Sequence, residues 1–285
     1  MSTLSIPASG ESGVKAFIKR YPLLSMYLIM FALAWSIMIP QALYTQGIFS
    51  APLPGFLEIL TGWAPGIAAV VVSAVVASRA GVRALLGRFL IWRVGVQWYL
   101  VSLFLLAFLI LGGIGLHVAF GGDIPLIPAV GAPVWEIALT FVLFVVLGFL
   151  INWEEVAWRG FALPRLQVRY GALLAALLIT VPEVLLHVPL YWIEDSFIRS
   201  VGVGWFSAFS VAAVVIYIYV FNRTQGSLLI VTLLHASQNA WSNLLSDNSP
   251  RPFYFTVLLI WVIALLLVAS TRGRLGYPAH SSRVE

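Results

Sequence analysis

Residues 138–160 read ALTFVLFVVLGFLINWEEVAWRG. A long run without formal charge leads straight into three charged residues, Glu154, Glu155 and Arg159. The apolar part predicts a helix in a bilayer, where ionised groups cost several kcal/mol unless they are paired or face water. If the helix continues, Glu155 and Arg159 stand at i and i+4 and pair on one face, while Glu154 points about 100° away. One carboxylate is then held by a guanidinium and the other is free for proton transfer. The plainer alternative is an interfacial helix end with a snorkelling arginine and two solvated acids.

The surrounding composition points the same way. Of 285 residues, 61% are hydrophobic and 9% are charged, against about half apolar and a quarter charged in a soluble domain. The formal net charge of +5 therefore reports membrane topology and is no signal for nucleic acid. The absence of cysteine excludes disulfides, thiolate metal sites and a cysteine nucleophile. Lys15, Lys19 and Arg20 precede an apolar run, Tyr21 to Tyr44, that is too long for a signal peptide and predicts an uncleaved first span.

Windows able to cross about 30 Å of hydrocarbon fall at 22–44, 61–78, 96–119, 135–158, 171–192, 205–222, 227–245 and 253–270. The predicted fold is an all-α polytopic membrane protein with about eight transmembrane helices. Positive charge alternates between the connections. One side collects Lys15, Lys19 and Arg20, then Arg79, Arg83, Arg88 and Arg93, then Arg159, Arg165 and Arg169, then Arg223, and finally Arg272, Arg274 and Arg283. The other side holds Arg199 and Arg251. The positive-inside rule makes both termini cytoplasmic and puts Glu154 at the cytoplasmic end of the fourth span. The turn-rich loops 46–62 and 121–133 lack Lys and Arg and fall outside. Residues 79–93 interleave arginines with apolar residues, as either an amphipathic interfacial helix or a solvated loop would. No repeat or soluble-domain boundary is visible. The expected organisation is a cytoplasmic segment 1–20, one membrane domain 21–270 with its core at 135–245, and a cytoplasmic tail 271–285.

Two of the predicted spans carry further polar residues. Span five contains Pro182, Glu183, His187 and Pro189. Its prolines remove backbone donors and favour a kink, which suggests a polar cavity beside Glu183 and His187. A histidine bonded to a backbone carbonyl is the bland alternative. In span seven His235 and Asn239 are i and i+4 and can converge on one small group, although either alone would serve as interhelical glue. Ser237 and Ser242 lie nearby without a strained nucleophile turn around them, and His117 and His280 fall outside the constellation. One tension remains. His187 lies about 24 Å along a straight span five, whereas His235 lies about 12 Å into span seven. Either Pro182 bends span five back toward Glu154, or that span begins later or deeper.

The order Glu154-Glu155-x-x-x-Arg159-Gly160, then His187, then His235-x-x-x-Asn239 resembles the type II CAAX prenyl endopeptidase family. This group of CAAX proteases and bacteriocin-processing enzymes is also called the abortive-infection membrane family. Phe161 to Leu166 and Thr224 to Leu228 are similar to its usual surroundings. The resemblance implies that Glu154 activates a water with help from His187, that His235 and Asn239 form an oxyanion hole, and that Glu155 and Arg159 are a supporting pair. Glu183 stands where the family usually has phenylalanine, and a carboxylate there would tune or pair with His187.

The implied activity is that of an intramembrane, glutamate-type endopeptidase. Its substrate would be a membrane-associated peptide or protein cleaved near the cytoplasmic leaflet of a prokaryotic plasma membrane. No cofactor is implied. Zinc held by Glu154, His187 and His235 is the alternative chemistry, although no His-Glu-x-x-His helix is present. The competing functions are a non-catalytic membrane scaffold or regulator, a bacteriocin self-immunity protein, and a proton-coupled transporter. No inverted repeat supports the last of these.

Overall fold

The computed structural model describes residues 13–246 and 249–278, with helices joined by short connections. His280 and Arg283 lie outside the described residues. The helices are α1 (Gly13–Arg20), α2 (Pro22–Thr45), α3 (Phe56–Leu86), α4 (Val96–Ala119), α5 (Val134–Ile151), α6 (Leu163–Leu186), α7 (Phe197–Arg223), α8 (Leu228–Leu245) and α9 (Pro250–Thr271). Among the described residues, seven segments are long and apolar enough to cross a bilayer: Pro22–Thr45, Ile59–Leu90, Val96–Ala119, Val134–Ile151, Val156–Trp192, Phe197–Arg223 and Pro250–Thr271. Helices dominate because every backbone N–H and C=O in hydrocarbon must be bonded within the segment.

α8 supplies the eighth crossing. His235, Gln238, Asn239 and Ser242 make it too polar for lipid, so it occupies the centre, packed by α4, α5 and α7. Ten of its eighteen residues are buried. α5 is its opposite: only Gly148 is buried, and the rest of that helix faces lipid or partly covered grooves. At Gly148 an added Cβ would come within 2.6 Å of the Ala236 Cβ, a small-on-small crossing that brings the two backbones together.

Three helices break where their course changes. α3 leaves helical geometry at Ala77 and Ser78. Beyond that bend, exposed Arg79 and Arg83 alternate with buried Leu85, as in an amphipathic interfacial helix. Arg88 then bonds the Gly226 carbonyl at 3.4 Å. α6 breaks at Gly171 (φ 76°) and α7 at Gly202 (φ 80°), a left-handed conformation that glycine adopts without Cβ strain.

The reading of 135–158 as one span is corrected by the structure. α5 stops at Ile151, Asn152 is extended (φ −114°, ψ 105°), and a π-helical turn occupies Val156–Ala162 before α6. The bilayer tolerates this break because α3 takes up the freed groups. Trp153 N–H donates to the Gly62 carbonyl at 2.9 Å, and Trp63 Nε1 donates to the Leu150 carbonyl at 2.6 Å. Gly62 and Gly66 leave room for the approach. A Cβ on Gly62 would collide with the Ile151 carbonyl, and one on Gly66 would lie 2.6 Å from the Trp153 Cβ. Gly62→Ala is therefore expected to destabilise the fold by about 1–3 kcal/mol, as overpacking against fixed backbone does. Thermal unfolding in detergent measures this, and an unchanged midpoint would contradict it.

This break also fixes depth. Gly62 lies about 9 Å from the start of α3 and about 22 Å from its kink, at 1.5 Å per residue. The acidic pair thus begins within the helix bundle, level with Gly62 of α3 and His235 of α8. The tension over His187 disappears for the same reason. α6 keeps helical geometry through Pro182 and breaks instead at Gly171, and His187 and Glu154 line one cavity.

Candidate active site

Asn152 organises the entrance to the π-helical turn. Its Oδ1 accepts the Glu154 backbone N–H at 3.1 Å, a capping bond of the kind that short polar side chains make at helix starts. Because that N–H can only donate, the amide orientation is set, and Nδ2 is the atom that meets His235 Nε2 at 3.2 Å. Nε2 is then the acceptor, so the ring proton sits on Nδ1 and is donated to Glu155 Oε1 at 2.9 Å. His235 is gripped at both nitrogens.

The π-helical turn carries the remaining acidic-motif contacts. Turns of this kind concentrate at functional sites. Trp158 Nε1 donates to Glu154 Oε2 at 3.3 Å. Arg159 pairs with Glu155 at 3.2 Å, as the i and i+4 spacing predicts, and both are 2% exposed. A second carboxylate, Glu183 from α6, reaches the same Arg159 nitrogen at 3.5 Å. The guanidinium lies over the Tyr217 ring, 4.6 Å from its centroid, so one cation is shared among two anions and an aromatic face. Glu183, which departs from the family pattern, is thus a partner of Arg159.

His187 Nδ1 donates to the Glu183 backbone carbonyl at 2.8 Å. A carbonyl only accepts, so the neutral ring keeps its lone pair on Nε2. This is the bond that the bland reading anticipates, yet the residue also lines the cavity. Phe206 packs against the ring at 5.2 Å.

One cavity of about 370 Å³ collects Glu154, Glu155, Arg159, Glu183, His187, His235 and Asn239. Its size falls within the usual range of ligand pockets. Every sequence-predicted site residue therefore meets the others across three separated segments. Asn152, Trp158, Tyr217 and Gln238 were not anticipated. Tyr217 donates to Gln238 Oε1 at 3.1 Å and stands edge-on to His235 at 6.0 Å. Only the spacing of Asn152, two residues before the acidic pair at the end of an apolar run, offers a signal for any of them. Ser242 lines the cavity; Ser237 is buried away from it in helix packing. His117 sits apart, beside Phe255. Among the described residues, no three His, Asp or Glu side chains are grouped to hold a metal ion.

The cavity is two-ended in chemistry. Charged groups gather at its floor, while Phe206, Phe209, Ile110 and Ile114 make apolar walls. Such a site can place one water between a carboxylate and an imidazole nitrogen while the walls hold an apolar chain. It can also offer the Asn239 amide to a developing negative charge.

Residues 133–241 match the family described as Type II CAAX prenyl endopeptidase Rce1-like, an interval that contains Glu154, Glu155, Arg159, Glu183, His187, His235 and Asn239. The chain is 26% identical over 176 residues to "CAAX prenyl protease 2" of Methanococcus maripaludis, covering 59% of this chain and 64% of that protein. The match thus spans a little under two thirds of that relative's length.

Proposed function

We propose that this integral, multi-pass membrane protein, whose residues 133–241 match the Rce1-like type II CAAX prenyl endopeptidase family, is a glutamate-dependent endopeptidase. It hydrolyses a peptide bond in a membrane-associated peptide or protein, in a prokaryotic plasma membrane. The convergence of Glu154, His187, His235 and Asn239 on one cavity is the observation that carries this reading.

Glu154 is the general base. Its carboxylate is partly exposed in the cavity and is oriented by Trp158, so it can take a proton from a water that attacks the scissile carbonyl. His187 presents Nε2 as a second acceptor for that water. The tetrahedral oxyanion is held by the Asn239 amide. His235 joins as a donor in the form of the enzyme already protonated at Nε2 before substrate binds, where Asn152 gives way and Glu155 balances the imidazolium. When the intermediate collapses, the C–N bond breaks and Glu154 passes the proton it took from water to the leaving amine. Arg159 acts through Glu155 and Glu183 and does not touch the substrate.

Asn239→Ala is expected to lower kcat by about 10²–10³-fold, the usual cost of one oxyanion donor, while the melting temperature stays near that of the parent. Cleavage of a fluorogenic membrane peptide by the purified protein measures it, and undiminished turnover would remove Asn239 from the mechanism. The reaction needs no metal: incubation with a strong chelator is expected to leave the rate unchanged. A loss of activity restored by zinc would instead favour the Glu154, His187, His235 metal reading.

A further inference from the structure

We propose that a groove between α6 and the chain that follows α9 binds an anionic phospholipid, with the phosphate on Arg272 and Arg274 and an acyl chain along α6. The groove shares no lining residue with the reaction cavity, and the proposal does not depend on the endopeptidase reading.

The groove is built by a chain reversal at the end of a membrane span. α9 stops at Thr271, where a candidate span also ends. Arg272 (φ 52°) and Gly273 (φ 74°) are left-handed, and the Gly273 N–H bonds back to the Val268 carbonyl at 2.8 Å, as helix C-caps of this kind do. The returning chain is pinned. The Leu275 N–H donates to Thr271 Oγ1 at 3.1 Å, Asn222 Nδ2 donates to the Leu275 carbonyl at 3.0 Å, and the Leu275 side chain is fully buried. An added Cβ on Gly273 would lie 3.3 Å from Leu173 Cδ2, so this chain packs directly on α6. A groove of about 650 Å³ remains between them.

Its lining joins three features that one ligand class answers. Arg272 and Arg274 line it at the level where α9 leaves its span, no acidic side chain lines it, and among the described residues neither arginine has a carboxylate partner. Leu174 and Leu177, each 45% exposed, line the same groove on one face of α6. Gln167 lines it as well. That residue is only 6% exposed, yet its Oε1 is enclosed without a hydrogen-bond partner, an arrangement that costs free energy until a partner arrives. Rotation about the terminal bond presents either the NH₂ or the oxygen, so the amide can donate to a phosphate oxygen or accept from a headgroup hydroxyl. A free inorganic anion would leave the leucines without an occupant. A zwitterionic lipid would bring its own cation against two guanidinium groups. An anionic phospholipid meets both the charge and the apolar face.

The test is native mass spectrometry of the purified protein in detergent, titrated with phosphatidylglycerol or with phosphatidylcholine of the same acyl chains. The first phosphatidylglycerol is expected to bind about 10- to 30-fold more tightly than the first phosphatidylcholine, roughly five-fold for each arginine. Arg272→Asn combined with Arg274→Gln is expected to bring the two lipids level, with asparagine chosen because it tolerates the left-handed backbone. Arg79→Gln combined with Arg83→Gln removes as much charge from a groove that holds no enclosed, unpaired amide, and is expected to leave the preference intact. Gln167→Leu keeps both arginines and is expected to weaken phosphatidylglycerol about 5- to 10-fold, the cost of one hydrogen bond to a charged group. Excess inorganic phosphate is expected to leave the bound lipid in place. Equal affinity of the wild type for the two lipids, a preference that survives loss of Arg272 and Arg274, undiminished binding by Gln167→Leu, or displacement of the lipid by inorganic phosphate would each overturn the proposal.

Discussion

Glu154→Gln is expected to lower kcat by about 10²–10⁴-fold, the range for losing a positioned general base, with expression and thermal stability close to the parent. The substitution isolates proton transfer from structure. The glutamine carbonyl can still accept from Trp158 Nε1, now 3.3 Å from Glu154 Oε2. The pair between Glu155 and Arg159 is left intact. What disappears is the one carboxylate at the cavity floor that is not tied to a cation. Initial rates on a labelled membrane peptide, measured beside the wild type in one detergent, give the answer. A variant that cleaves normally, or that fully complements a deletion, would mean the polar core serves a scaffold.

Arg159→Met is expected to destabilise the protein by about 3–5 kcal/mol, the cost of breaking a buried ion pair by removing one partner. Arg159 is 2% exposed and is the shared cation of Glu155 and Glu183. Methionine fills the aliphatic stem and leaves two carboxylates facing each other without a counter-charge. It also removes the cation from the Tyr217 face. Glu183→Phe should be much milder, because Arg159 then keeps Glu155. Thermal unfolding of the purified variants separates the two. A Glu183→Phe variant as unstable as Arg159→Met would show that the second carboxylate carries the network.

The site was legible in the sequence to a large degree because its residues sit at helical spacings. Glu155 and Arg159 pair as i and i+4, and His235 and Asn239 share the cavity face of α8. Seven of the eight predicted crossings were legible from hydrophobic length. The break at Asn152 was not. An apolar run followed by charges has the same pattern whether the chain leaves the membrane or merely interrupts a helix within it. What decides between them is Gly62 and Gly66, some ninety residues earlier, whose missing side chains admit Trp153. The role of Glu183 was hidden for a similar reason: its partner Arg159 lies on another segment, and sequence spacing says nothing about pairs between helices.

The account stands on four side chains gathering around one water and one carbonyl. A structure of the protein bound to a phosphinate peptide, whose two oxygens mimic the attacking water and the oxyanion, tests this most directly. One phosphinate oxygen is predicted within hydrogen-bonding distance, about 3 Å, of Glu154 and His187, and the other at about 3 Å from the Asn239 amide. A phosphinate bound with its oxygens turned away from Glu154, or seated outside the cavity while still inhibiting, would contradict it.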